Sequence, residues 1–214
     1  MEVQRHDIRT RDGHRLDAEL ARPDDPTWGV VLVHPHPQFG GSMHNHVIDA
    51  LFTAMPEYGA TVMRFNFRGV GTSQGTFDDG NAERLDLLAA VETVSELLGR
   101  DAHGVIVAGY SFGADIALAL DHLSIAGWWA VVPPLSVHPP DAYLAAHDER
   151  PKRVLIAEND EFNPPAQAQS KLAGWTNLEA ATLPGVGHML DNQGPALVKD
   201  LASFAERVRA PAPG

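Results

Sequence analysis

The chain has 214 residues, a formal net charge of −12 and no cysteine. That length suits one α/β domain, expected over residues 1–209 with a flexible tail at 210–214, because no Ser/Gly-rich run, charge block or repeat marks an internal boundary. The acidity argues against nucleic acid or an anionic membrane as partner, and the missing cysteines exclude disulfides, thiolate metal sites and a cysteine nucleophile.

Residues 3–10 and 14–21 read as two strands joined by a turn at Asp12-Gly13. The apolar run 28–33 predicts a buried central strand, 44–58 a helix, and 60–67 the next strand, running into Arg68-Gly69-Val70-Gly71. Residues 81–98 carry leucine and valine at helical spacing and predict a long amphipathic helix. Further strands are expected at 105–110, 127–132, 153–157 and 178–183, with helices from Phe112 and at 166–173 and 195–209. Two antiparallel strands followed by alternating strands and helices predict an α/β-hydrolase fold: a mostly parallel central sheet with helices on both faces. The segment between the strands at 127–132 and 153–157 is short and holds Pro133-Pro134 and Pro139-Pro140, so little or no cap is expected.

The most informative stretch is Gly109-Tyr110-Ser111-Phe112-Gly113, an apolar β-branched strand passing straight into an alanine-leucine helix. This is the pattern of a nucleophile elbow, a serine on a strained strand-to-helix turn that needs glycine on either side. The helix from Phe112 would aim free N–H groups at the place where negative charge develops during acyl transfer.

A serine hydroxyl needs a base, and the base needs an orienting acid. In this fold the chain order is serine, acid, histidine, each at the carboxyl end of a strand. The acid is expected in Glu158-Asn159-Asp160-Glu161-Phe162, with Asp160 first and Glu158 and Glu161 as competitors. The base is expected at His188, the only histidine after that acid. For the oxyanion hole, Phe112 N–H is one donor, and the loop His34-Pro35-His36-Pro37-Gln38 supplies the other. Proline has no N–H, so His36 is expected to donate, with Gln38 second. Substrate contacts are expected from Gln38, Phe39, Tyr110, Phe162 and Met189, with Leu190 also in a rim loop; loop apolars that line nothing are the alternative. The pairs His34/His36 and His44/His46 should point apart, with no acid cluster completing a ligand set, so no metal and no cofactor are expected. Arg68 is expected to pair with a carboxylate, since its glycine-rich turn lacks the Gly-Lys-Ser/Thr end of a phosphate loop.

Taken together, the blocks His34-Pro35-His36-Pro37, Arg64-Phe65-Asn66-Phe67-Arg68-Gly69-Val70-Gly71 and Gly109-Tyr110-Ser111-Phe112-Gly113 resemble the small, lidless bacterial α/β hydrolases described as dienelactone-hydrolase-like. The resemblance spans nearly the whole chain and implies a serine hydrolase with Ser111, Asp160 and His188 as triad, but no particular substrate. Dienelactone hydrolases proper use a cysteine nucleophile, which this chain lacks. The expected function is hydrolysis of small carboxylic esters or thioesters through an acyl-serine, with short acyl chains favoured where no lid covers the site. A small peptidase or amidase, and a ligand-binding protein of the same fold without turnover, are the competing readings. The N-terminal residues carry no signal-like apolar run and no stretch is of membrane-spanning length. A cytoplasmic protein is therefore expected, with a small ester or acyl substrate as partner, no nucleic acid, no membrane, and at most a second copy of the chain as a homodimer.

Overall fold

Eight strands form one sheet in the order β1-β2-β4-β3-β5-β6-β7-β8 in the structure, a computed structural model that describes residues 3–99 and 103–210. The strands are β1 (Val3–Arg9), β2 (Arg15–Ala21), β3 (Trp28–Val33), β4 (Ala60–Phe65), β5 (Val105–Tyr110), β6 (Ile125–Val131), β7 (Lys152–Asn159) and β8 (Leu178–Gly187). β1 and β2 pair antiparallel, β2 runs antiparallel to β4, and β4 through β8 are all parallel. The helices are α1 (His46–Ala54), α2 (Glu83–Leu98), α3 (Phe112–Leu118), α4 (Pro165–Leu172) and α5 (Gly194–Arg209).

Strand side chains alternate between the two faces, and this sorts the core into two layers. From β5, Val105 and Val107 join Leu87, Val91 and Ile116 of α2 and α3 on one face. Ile106, Ala108 and Tyr110 join Leu51, Leu197 and Phe204 of α1 and α5 on the other. Because β3, β4 and β5 are buried on both faces, they read as unbroken apolar runs rather than alternating ones.

The expected elements all form, with ends that shift for local reasons. The helix expected over 44–58 starts at His46, because Asn45 caps it by accepting from Val47 N–H at 3.0 Å. It ends as an α-helix at Ala54 and continues as the 3₁₀ turn Met55–Tyr58, since Pro56 cannot donate to the preceding turn. β4 stops at Phe65 rather than 67, where Asn66 N–H turns to Asp17 C=O at 2.8 Å. β8 runs on to Gly187 instead of ending at 183. It is an edge strand, so Pro184 is tolerated within it.

The order of the strands creates the crevice. From β3 the chain moves to β4 on one side and then to β5 on the other, so the connections leaving β3 and β5 diverge. Such a switch point opens a cleft beyond the carboxyl ends of the strands. Between β6 and β7 the excursion makes only the short turns Pro140–Ala142 and Leu144–His147 and returns Tyr143, Ala145 and Ala146 to the core. It does not rise over the crevice as a cap.

Candidate active site

Ser111 sits at the turn from β5 into α3 with φ 55° and ψ −120°, a conformation that costs a non-glycine residue about 1–3 kcal/mol. The neighbouring glycines explain how it is tolerated. A Cβ on Gly109 would lie 2.4 Å from Gly113 C=O, and one on Gly113 would lie 2.3 Å from Val33 C=O. The elbow is therefore pressed against the end of β3. α3 has only seven residues, so its individual N–H groups matter more than any summed dipole.

Ser111 Oγ is 2.9 Å from His188 Nε2. His188 Nδ1 is 3.0 and 2.9 Å from the two oxygens of Asp160. The carboxylate can only accept, so Nδ1 carries the proton and Nε2 accepts from the serine hydroxyl. All three residues are buried or nearly so. Asp160 Oδ1 also accepts from Phe162 N–H at 2.9 Å and Asn163 N–H at 3.2 Å, and Asn163 Nδ2 donates to Pro133 C=O at 2.8 Å. Tyr110 Oη donates to His188 C=O at 3.1 Å and so holds the histidine backbone. Burial, helped by the charges of Asp191 and Asp160, pushes the Tyr110 phenol up to about 12, which keeps it a donor at ordinary pH. Glu158 is exposed and accepts from Gly185 N–H at 2.6 Å, while Glu161 is exposed in the loop; neither carboxylate reaches His188.

The loop after β3 brings His36 to the crevice, its ring 4.9 Å from Phe112 and 4.7 Å from Phe39 between centroids. Among the described residues neither His36 N–H nor Phe112 N–H donates to another protein group. The second choice for donor, Gln38, is corrected by the structure. Its N–H donates to His36 Nδ1 at 3.2 Å inside the 3₁₀ turn Pro37–Phe39, and the residue lies outside the pocket.

His34 points the opposite way, into the protein. Its Nδ1–H donates to Pro35 C=O at 2.7 Å, and its Nε2 accepts from Phe67 N–H at 3.1 Å. It therefore joins the β3 loop to the Phe67-Arg68-Gly69 turn as a neutral ring, and burial lowers its pKa to about 4. The unfolded chain protonates this histidine below its ordinary 6.5, so stability is full above that pH and falls as pH drops toward 4. The group's share of the loss is about 3 kcal/mol. Urea unfolding across that window is expected to show a pH slope up to one proton shallower in His34→Gln than in the wild type.

Arg68 anchors the same turn. Its guanidinium is bidentate to buried Asp86, with Nη2 2.7 Å from Oδ1, and Nη1 lies 2.9 Å from Asp12 Oδ2. Burial opposes the charge, but the hydrogen bonds that Arg68 donates to Asp86 and Asp12 outweigh it and hold Arg68 above the usual arginine value. Asn66 Oδ1 accepts from Met43 N–H at 2.9 Å, so the Arg64–Gly71 block grips the β3 loop at two points.

A pocket of about 440 Å³ opens beside Ser111, His188 and His36, walled by Phe39, Phe112, Pro134, Val137, Phe162 and Met189. Phe39, Phe162 and Met189 are 85, 60 and 57 % exposed and form its mouth, and the Phe162 ring packs 4.5 Å from His188. Tyr110 borders the pocket too. Leu190 does not: with φ 57° it folds inward and is buried in the layer under α1 and α5. A larger hollow of about 680 Å³ lies at the opposite end of the sheet, beside Gly99 and His103; its two serine hydroxyls, Ser95 and Ser124, hydrogen-bond to each other at 2.8 Å rather than to a histidine. Among the described residues no group of three or more His, Cys, Asp or Glu could hold a metal ion.

One wall of the pocket depends on a residue that sequence reading passed over. Asp115 of α3, fully buried, accepts from Leu135, Ser136 and Val137 N–H at 2.9, 3.0 and 3.0 Å and from Tyr143 Oη at 2.9 Å. It holds a loop in which Val132 and Leu135 have φ 45° and 50°. The signal was a lone acid in an alanine-leucine helix, one turn after the serine. Asp115→Asn is expected to destabilise the fold by about 2 kcal/mol and to raise KM more than it lowers kcat, because donors lose acceptors and the wall loosens. Chemical denaturation together with steady-state kinetics checks both.

The chain matches no defined protein-family profile. It is 35 % identical over 150 residues to an uncharacterized protein (RP471) of Rickettsia prowazekii, a stretch that takes in 68 % of this chain and 63 % of the relative, so less than two thirds of the relative's length is spanned. An α/β serine hydrolase without a lid from Xanthomonas campestris superposes with a TM-score of 0.85 at 27 % identity, covering 100 % of this chain and 98 % of the other. An α/β serine hydrolase homologue from Coxiella burnetii superposes at 0.76 with 28 % identity, covering 92 % and 97 %. The chain has the α/β-hydrolase fold and is similar to small lidless α/β serine hydrolases. Neither neighbour's name extends to dienelactone chemistry, so that part of the resemblance gains nothing. No helix among the described residues is long and apolar enough to cross a membrane.

Proposed function

We propose that the chain hydrolyses small carboxylic esters or thioesters through an acyl-serine intermediate. The observation that carries this reading is the unbroken chain of contacts from Ser111 Oγ through both nitrogens of His188 to Asp160, at 2.9 to 3.0 Å. His188 Nε2 takes the Ser111 proton as Oγ attacks the acyl carbon, then returns it to the departing alcohol or thiol. Asp160 holds the imidazole tautomer and stabilises the imidazolium. The free N–H groups of Phe112 and His36 donate to the carbonyl oxygen as charge builds on it, each donor being worth about 3 kcal/mol in such sites. Water then enters through the same histidine and releases the acid. Phe39, Phe162 and Met189 would hold the apolar part of the substrate at an open mouth.

Turnover of p-nitrophenyl esters from acetate to palmitate tests the reading. A burst of nitrophenol and a maximum at short acyl chains are expected; a maximum at palmitate would contradict the pocket assignment, and no ester turnover at all would contradict the hydrolase. The acid is tested separately. Asp160→Asn is expected to lower kcat by about 10⁴-fold, since it disturbs the tautomer, while Glu158→Gln stays within about twofold of wild type.

A further inference from the structure

The charges around the pocket are as informative as its shape. None of the described residues bordering it is Lys, Arg, Asp or Glu, so an anionic substituent inside would be desolvated without a countercharge. Outside the lining several acidic residues lie close by. Asp79 is close enough to act on the His36 ring, and Asp191 on Tyr110. Glu161 is exposed directly before Phe162, and Glu158 lies exposed two residues before Asp160. Asp160 is hydrogen-bonded to the neutral His188 ring. Two cations are also nearby. Lys171 is half-buried with its ammonium on Pro134 C=O at 2.9 Å, and Arg84 faces His138 behind the wall. At the mouth, Phe39 and Phe162 present exposed rings, whose faces attract cations.

Resting on the ester-hydrolase reading above, we infer that this site selects its substrates by charge. It takes esters whose alcohol or acyl part is cationic or uncharged, and it rejects those that carry a carboxylate or phosphate beside the scissile bond. An acidic rim over a low-dielectric cleft raises the local concentration of cations and repels anions before contact. The aromatic mouth then holds the cation without needing a buried counter-ion.

The test compares three acetate esters of similar size: acetylcholine, its uncharged isostere 3,3-dimethylbutyl acetate, and 4-acetoxybutyrate. At low ionic strength kcat/KM is expected to fall in that order, with the cation about threefold above the neutral ester and the anion about tenfold below it. About 0.5 M salt should compress the span between cation and anion to less than about threefold, because the rim charges are exposed. Asp79→Asn combined with Asp191→Asn should bring the cation-to-neutral ratio toward one. If the neutral ester turns over and the anion does equally well at low salt, the charge selection is overturned and the hydrolase reading stands. If none of the three turns over, both fall.

Discussion

Ser111→Ala is expected to lower kcat on a short ester by about 10⁴- to 10⁶-fold while the fold is kept. The hydroxyl is the only group of Ser111 that reaches His188, and its removal leaves the histidine with nothing to deprotonate. Its backbone φ of 55° is as unfavourable for alanine as for serine, so the strain is unchanged and the melting temperature should stay within a few degrees or rise slightly. Residual turnover above background is expected from the oxyanion donors, since neither Phe112 N–H nor His36 N–H is touched. Steady-state kinetics on wild type and variant, each checked by circular dichroism, decide it. A folded variant that keeps more than about a tenth of the wild-type rate would remove Ser111 from the chemistry.

Gly113→Ala is expected to be among the most damaging single methyl additions near the site, at about 4 kcal/mol or more of lost stability together with loss of activity. The new Cβ would lie 2.3 Å from Val33 C=O and 2.5 Å from His34 C=O, both backbone atoms that cannot swing aside. Relief requires α3 and the end of β3 to part. That end carries the loop on which His36 sits, so the oxyanion donors would separate as the packing opens. Gly40→Ala is the useful contrast. Gly40 has φ 81° and open space around a Cβ, so only the backbone penalty applies, about 1 kcal/mol. Urea midpoints for the two variants should differ accordingly. A Gly113→Ala protein with a wild-type midpoint would mean that the elbow is not pressed on β3 as described.

The elbow was legible because its constraint is local. Strain at one residue demands small neighbours within two positions, and Gly109 and Gly113 write that demand directly into the chain. The two-faced sheet was legible for the same kind of reason, since strands buried on both sides cannot alternate. The acid was harder. Which of Glu158, Asp160 and Glu161 faces the histidine depends on where β7 ends and on a register shift between Ala157 and Asn159, and that shift is set by pairing with β8. Glu158 consequently bonds across to Gly185 on the neighbouring strand, and Asp160 turns to His188. Gln38 and Leu190 were placed at the pocket because their loops go there. The His36 ring takes the Gln38 N–H, and a left-handed φ sends Leu190 inward; neither follows from residue type. The roles of His34, Asn66 and Asp115 were hidden because each serves a segment distant in the chain, although Asp115 left a trace as an acid in an apolar helix.

The most direct measurement is the mass of the protein after treatment with a fluorophosphonate. The convergence of Ser111, His188 and Asp160 predicts one stoichiometric adduct, mapped to the peptide containing Ser111 and lost in His188→Ala. A folded wild-type protein that takes no adduct, or takes it on another residue with Ser111 intact, would contradict it.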